Sequence, residues 1–299
     1  MALRPIDNAL PTTTPERPKK QPKIAVATQK QQDRAAVIDG ENQAPLPSSG
    51  DATVDYVSSN NLKPLSDPEV KIQSLIGDLD SKNWNKVCES LNNARRFALF
   101  HSSLLIPILG KIVLVVAKTM RNPRSALCKT AIMAAADIFN AYGDKLLDPE
   151  TSDAFDGLLL QLLLKASQDK RFVCEEADRA LGLMGGSMTP LPLLQKLRVY
   201  VSHNNLRVRA KAAVSLSNCV SKMGLEEMEQ FGMAKLIEMA ADLLNDRLPE
   251  ARDAARSIAT AVYQALTKDS EQKMELWQGF CQSNLPPIHA LSILKIVKP

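Results

Sequence analysis

One five-residue phrase returns six times along the chain. It stands as Val87-Cys88-Glu89-Ser90-Leu91, Leu127-Cys128-Lys129-Thr130-Ala131 and Val173-Cys174-Glu175-Glu176-Ala177. It recurs as Val208-Arg209-Ala210-Lys211-Ala212, Ala251-Arg252-Asp253-Ala254-Ala255 and, in weaker form, Ile288-His289-Ala290-Leu291-Ser292. The steps between starts are 40, 46, 35, 43 and 37 residues. A period in this range is one helix pair per repeat, as in HEAT and armadillo arrays. Such a unit cannot bury its apolar side alone, so the pairs must stack, and stacking lines up their short turns on one edge.

Composition agrees with a helical stack. Apolar residues make up 45% of the 299 and aromatics only 4%, with Ala and Leu dominant, which favours helix over sheet. The apolar run 104–117 is shorter than the roughly 20 residues that span a bilayer, and Lys111 interrupts it. It reads as a buried helix. No signal peptide is expected, because the first ten residues hold no apolar run. The five cysteines, 88, 128, 174, 219 and 281, fall about one per repeat with no close pairs. They read as small buried hydrophobes of a reducing compartment.

Residues 1–65 differ. They are rich in Pro, Thr, Gln, Ser and charge and have no sustained period. They cannot bury enough apolar surface to offset chain entropy and are expected to be a disordered tail. The tail is basic first, from Arg17 to Arg34, and acidic later, from Asp39 to Asp55. Order is expected from residue 66, where Ser66 or Asp67 can cap a helix, Pro68 suits its first turn and Glu69 complements its N-terminus.

From there the chain reads as six pairs. First helices are expected near 67–79, 102–120, 153–167, 190–202, 226–245 and 270–282. Second helices, carrying the phrase, are expected near 84–99, 124–142, 172–185, 206–223, 249–267 and 286–297. In the second helices, the residues four, seven and eleven places after each phrase start are apolar or small. Leu127, Ala131, Ala134 and Ile138 show it, as do Ala251, Ala255, Ile258 and Val262. This is a narrow helical seam that permits close approach. The sixth repeat departs, with Ser292 and Lys295, as a terminal repeat with a solvated outer face would. The fold class is therefore all-α: a right-handed α-solenoid of six HEAT-like pairs over 66–299, behind the tail.

No catalytic or metal-binding pattern is present in the sequence. His101, His203 and His289 lie in different repeats without ligand spacing. Glu175-Glu176 and Glu226-Glu227 are neighbours on a helix and do not face each other. Gly182, Gly185 and Gly186 read as a helix end before Pro190, not a phosphate loop. The expectation is a non-enzymatic chain with no cofactor.

The informative residues are in the turns. Five of the six turns carry a basic residue within or just after them. Trp84 opens the first phrase helix from a polar turn. It reads either as a ring tucked under the first repeat or as an exposed anchor, tryptophan being enriched at interface hot spots. Trp277, at helical spacing from Phe280, reads as core.

Six HEAT pairs, a Trp in the first turn and basic turns along one edge resemble a TOG domain. CLASP proteins and the TOG-array proteins of axonemal microtubules are similar in texture. The local match is strongest over Leu159–Met184, a leucine-rich helix, an Asp169-Lys170 turn and the acidic Glu175-Glu176-Ala177-Asp178 helix. The resemblance implies binding of the tubulin dimer or microtubule lattice through the aligned turns, by Trp84, Arg121, Lys170, Arg171, Asn205, Arg207 and Arg247. It implies a location at cytoplasmic microtubules. The basic proline-rich stretch 12–23 resembles lattice-binding regions of microtubule-associated proteins, and Thr14-Pro15 is a site for proline-directed phosphorylation. The expected state is a monomer, since no coiled-coil heptads are present, with neither nucleic acid nor membrane as partner. Two rival readings stand beside it. A general HEAT or armadillo scaffold would bind another protein and would bury Trp84. A nucleic-acid solenoid would need a continuous basic stripe on the second helices, which instead carry Glu175, Glu176, Asp178 and Asp253.

Overall fold

The computed structural model describes residues 56–297; the expectations for 12–23, Thr14 and the rest of the tail to residue 55 lie outside them. Every regular element among the described residues is helical. The first pair is α1 (Pro68–Leu79) with α2 (Trp84–Phe100). In the second, α3 (Ser102–Leu105) and α4 (Leu109–Met120) share the first-helix role, with α5 (Ser125–Tyr142). The third is α6 (Ser152–Ala166) with α7 (Arg171–Ser187), and the fourth α8 (Pro190–Leu197) with α9 (Leu206–Val220). In the fifth, α10 (Leu225–Phe231) and α11 (Met233–Leu243) precede α12 (Pro249–Thr267). The sixth is α13 (Lys273–Asn284) with α14 (Pro287–Leu294).

The second helices stack in two runs, α2 on α5 on α7 and α9 on α12. Between the runs α7 and α9 touch only sparingly, and α6 supplies contact to α9. The seam read from the sequence is the packing surface. Val87, Leu91, Ala94 and Ala98 are buried in α2, Leu127, Ala131, Ala134 and Ile138 in α5, and Val173, Ala177, Ala180 and Met184 in α7. Ala251, Ala255, Ile258 and Val262 do the same in α12. The alanines let axes come close, while each buried Leu, Ile or Val contributes about 1.5–3 kcal/mol. The last pair is open: Ile288 and Leu291 are 77% and 60% exposed.

Two expected first helices are broken. Pro107 has no N–H and its ring would crowd the preceding turn, so 106–108 tighten into a 3-10 turn between α3 and α4. Gly232, at φ +106°, turns the chain between α10 and α11. The run 104–117 is a core element split by that proline, with Leu105, Leu109, Ile112, Val113, Val116 and Ala117 buried. Helix α7 continues through Gly182, Gly185 and Gly186 to Ser187 rather than ending there. Asp67 occupies the N-cap of α1 without a side-chain bond to the helix; the Ser66 hydroxyl donates to its Oδ2 at 3.0 Å.

The packed chain also starts ahead of residue 66. Leu62 and Leu65 are buried, and the segment 56–65 straps α2 to α5. Beneath it lies a buried ion pair, Arg95 Nε to Asp137 Oδ2 at 2.6 Å. Arg95 Nη1 donates to the Val57 carbonyl at 2.8 Å and to Asn92 Oδ1 at 2.9 Å. The Ser59 hydroxyl donates to Asp137 Oδ1 at 2.6 Å. The strap thus supplies partners that a buried charge pair needs. Composition placed these residues with the tail because their order rests on tertiary hydrogen bonds, not on period.

Candidate protein-interaction edge

Most turns inside the pairs are built by one local device. In the first, second, fourth and fifth turns an acceptor side chain takes the backbone N–H two residues on, which folds the chain tightly just ahead of the second helix. Ser81 Oγ accepts from Asn83 at 3.2 Å and Asn83 Oδ1 from Asn85 at 3.0 Å. Asn122 Oδ1 accepts from Arg124 at 2.9 Å, and Asp246 Oδ1 from Leu248 at 2.9 Å. In the fourth turn His203 Nδ1 accepts from Asn205, and Asn205 Oδ1 from Arg207, each at 3.0 Å. Asn205 therefore caps α9, with a further 3.4 Å bond from Val208.

Contacts from turn to turn place the first five turns in one row. Lys118 Nζ at the end of α4 reaches Asp80 Oδ1 at 2.9 Å, and Arg124 lies over the Trp84 ring at 4.5 Å. Lys170 Nζ reaches Ser125 Oγ at 3.2 Å. Arg207 pairs with Asp169 and donates to the Ser167 carbonyl at 3.3 Å. Arg209 Nε pairs with Asp246 Oδ2 at 2.5 Å and its Nη1 donates to the His203 carbonyl at 2.8 Å. Arg252 Nη1 closes the fifth turn on the Asp246 and Arg247 carbonyls.

These contacts sort the seven residues named from the sequence. Trp84 is half-buried, between the two readings offered for it: it packs on the core from below, takes the Arg124 cation above, and still lines a depression. That depression, about 430 Å³, also takes in Lys82, Lys118, Arg121 and Asn122, so Trp84 and Arg121 share one site. Lys170, exposed, is hydrogen-bonded to a hydroxyl. Arg171 is paired with Glu175 at 2.7 Å on its own helix, and Arg207 with Asp169. Arg121 and Arg247 are exposed, with no side-chain ion pair among the described residues. Of the seven, Arg121 at the second turn and Arg247 at the fifth thus stand without a carboxylate partner among the described residues, with Lys170 between them. Sequence reasoning missed Arg124 and Lys118. Their signal was available, since each stands about one repeat beyond its partner.

Two acids of the row, Asp80 and Asp246, have lowered carboxyl pKa values. The hydrogen bond from Lys118 pulls the Asp80 carboxyl below its ordinary range. For Asp246, burial pushes upward, but the Leu248 N–H, Arg209 and Arg252 together outweigh it and the carboxyl is lowered. The second helices mix signs, with Lys211–Asp178 at 2.7 Å, Arg179–Glu176 at 2.5 Å and Arg256–Asp253, so no continuous basic stripe runs along them. Where α7 and α9 part, a cleft of about 710 Å³ opens, lined by Cys174, Asp178, Leu181, Lys211 and Val214. Cys174 is half-buried there, unlike the other four cysteines, which are buried. Trp277 is wholly buried, stacked on Phe280 with ring centres 5.9 Å apart.

The chain matches no protein-family model. It is similar to TOG array regulator of axonemal microtubules protein 1 of Mus musculus, 30% identical over 202 residues. That alignment covers 66% of this chain and 11% of the relative, so the chain spans only a small part of its relative's length. Among solved structures it is similar to the TOG domain of Zyg9 from C. elegans, with a TM-score of 0.55 at 14% identity, over 80% of this chain and 88% of that one. A structure described under TOG–tubulin binding specificity gives a TM-score of 0.52 at 14% identity, over 80% and 90% of the two chains. Six stacked pairs, a row of tight polar turns led by a tryptophan, and a relative named for its TOG array point the same way: the chain has the fold of a TOG domain and is similar in sequence to part of a TOG-array protein.

Proposed function

We propose that this protein binds tubulin, as free dimer or in the microtubule lattice, through the row of turns, as a non-enzymatic module at the microtubule cytoskeleton. One observation carries the reading. The turns are cross-linked into a rigid edge that presents an aromatic, Trp84, beside Arg121, and leaves Lys170 and Arg247 further along. A pre-organised edge loses little entropy on binding, and cations there steer an acidic partner. Names of the relatives support the partner: one regulates axonemal microtubules, and one neighbour concerns TOG–tubulin binding. Arg121, Lys170 and Arg247 supply charge and Trp84 supplies apolar contact. Arg207 and Asn205 hold the third and fourth turns in shape, since their polar groups are bonded to the turns, and Arg171 is paired along its own helix with Glu175.

A general protein scaffold is the second reading, favoured by the half-burial of Trp84 and by the open cleft between α7 and α9. Gel filtration with tubulin dimers and co-sedimentation with microtubules separate the two. Binding that is lost in Arg121→Glu and Arg247→Glu supports the edge. Wild-type protein that ignores both forms of tubulin at low salt moves the assignment to the scaffold.

A further inference from the structure

The edge holds a second aromatic side chain. Phe172 is the second residue of α7, directly after Lys170 and Arg171, and it is 43% exposed. The equivalent position, one before each phrase, is Lys86, Ala126, Arg207, Glu250 or Pro287 in the other repeats. None of these is a large apolar residue, and all but the half-buried Ala126 are exposed. The stack therefore does not need a phenylalanine there. Packing does not explain it, and a solvent-facing ring on a turn edge is the kind of group that anchors a partner.

Its surroundings are organised. Lys129 Nζ, on the neighbouring α5, lies 6.0 Å from the Phe172 ring centre and 4.5 Å from that of Tyr56. Tyr56, at the start of the strap, is 42% exposed. A cation is thus held between two half-open rings, an arrangement that fixes the ammonium by its attraction to the ring faces. Lys170 stands two residues before Phe172, its ammonium hydrogen-bonded to Ser125. The third turn consequently combines an open apolar ring with two ordered cations. Trp84 at the first turn, by contrast, is partly committed to the core and to Arg124.

We infer that Phe172 is a second anchor of the edge: it enters an apolar depression on the acidic surface of tubulin, with Lys129 and Lys170 facing carboxylates around it. This rests on the tubulin-binding reading above. Two anchors, at the first and third turns, fix the direction in which the partner lies along the row, which a single anchor and scattered charge would not do.

The test uses the full chain. Affinity for tubulin dimers is measured by biolayer interferometry, and folding by thermal melting, for wild type, Phe172→Ala, Phe172→Trp and Arg247→Glu. Phe172→Ala is expected to weaken binding about thirtyfold, the level of a hot spot, with an unchanged melt because the ring is half in water. Phe172→Trp is expected to bind within about threefold of wild type, since a ring is retained. Phe172→Ala that binds within about twofold of wild type while Arg247→Glu loses affinity would overturn the anchor and leave the edge standing. A wild-type chain that binds no tubulin sinks both. A dimer that Phe172→Ala converts to monomer would assign the ring to self-association and also overturn the proposal.

Discussion

Replacing Asp137 with alanine is the sharpest test of how the first two pairs are held together. Arg95 is wholly buried, and its charge is met by one carboxylate, Asp137 Oδ2 at 2.6 Å. Its other bonds go to neutral acceptors: the Val57 carbonyl, Asn92 Oδ1 and, at 3.3 Å, Ser59 Oγ. Asp137→Ala keeps the guanidinium in place and removes its counter-charge, and a buried pair broken in this way loses about 3–5 kcal/mol. The Ser59 hydroxyl loses its acceptor in the same step, which adds about 1 kcal/mol. The expected cost is about 4–6 kcal/mol, a large share of the 5–15 kcal/mol that a domain commonly has.

Urea unfolding followed by circular dichroism gives the magnitude, and tryptophan fluorescence as a second probe checks that the solenoid melts as one unit. Trp84 and Trp277 lie at opposite ends of the array, so the two probes together detect a split transition. Hydrogen exchange gives the location: protection should fall first at 56–65, whose bonds the pair organises. Arg95→Met with Asp137→Leu should recover most of the loss, because no charge is then buried. A cost below about 1 kcal/mol for Asp137→Ala would refute the reasoning, since it would mean that water already serves Arg95.

Three further outcomes follow from named contacts. Trp84→Ala should weaken tubulin binding by about 2 kcal/mol or more and, because the ring is half-buried against the core, should also lower the melting temperature by a few degrees, read by affinity and melting together. Gly143→Ala should destabilise the chain measurably in urea, because φ is +47° and an added Cβ would lie 2.5 Å from the Ser187 carbonyl oxygen; an unchanged midpoint would show that the α5–α7 corner relaxes freely. Asp246 has a folded pKa below its unfolded value near 3.9, so its contribution is complete above that value and is lost as pH falls through the folded one; acid titration of stability should show this in wild type and flatten in Asp246→Asn.

What the sequence could reveal here follows from the repeat. Each seam position is tied to helical spacing, so Leu127, Ala131, Ala134 and Ile138 could be read as buried without coordinates. The acceptor turns at Asn83, Asn122, Asn205 and Asp246 are equally local and equally readable. The breaks at Pro107 and Gly232 were visible as residues, but the expected apolar period ran across them. The contacts that decide the edge's chemistry are of another kind. Arg124 meets Trp84, Arg207 meets Asp169, Arg209 meets Asp246 and Arg95 meets Asp137 at separations of 40, 38, 37 and 42 residues. Those separations are one repeat, so the period tells which turns are neighbours. It does not tell which side chains pair, because that depends on where each helix begins and on its rotation in the stack, differences of one or two residues. A row of cations in the sequence is therefore an upper limit on the free charge at the edge. Arg171 and Arg207 count in the sequence and are paired with Glu175 and Asp169 in the fold; Arg121 and Arg247 are exposed and have no side-chain ion pair among the described residues. Phe172 escaped because a lone phenylalanine beside a helical seam reads as core, and only its exposure separates it from Phe139 and Phe155, which meet edge to face in the interior. The strap is the limiting case: it has no period, and its order rests on the burial of Leu62 and Leu65 and on bonds to Asp137 and to Arg95, which lies 38 residues from the Val57 carbonyl that it holds.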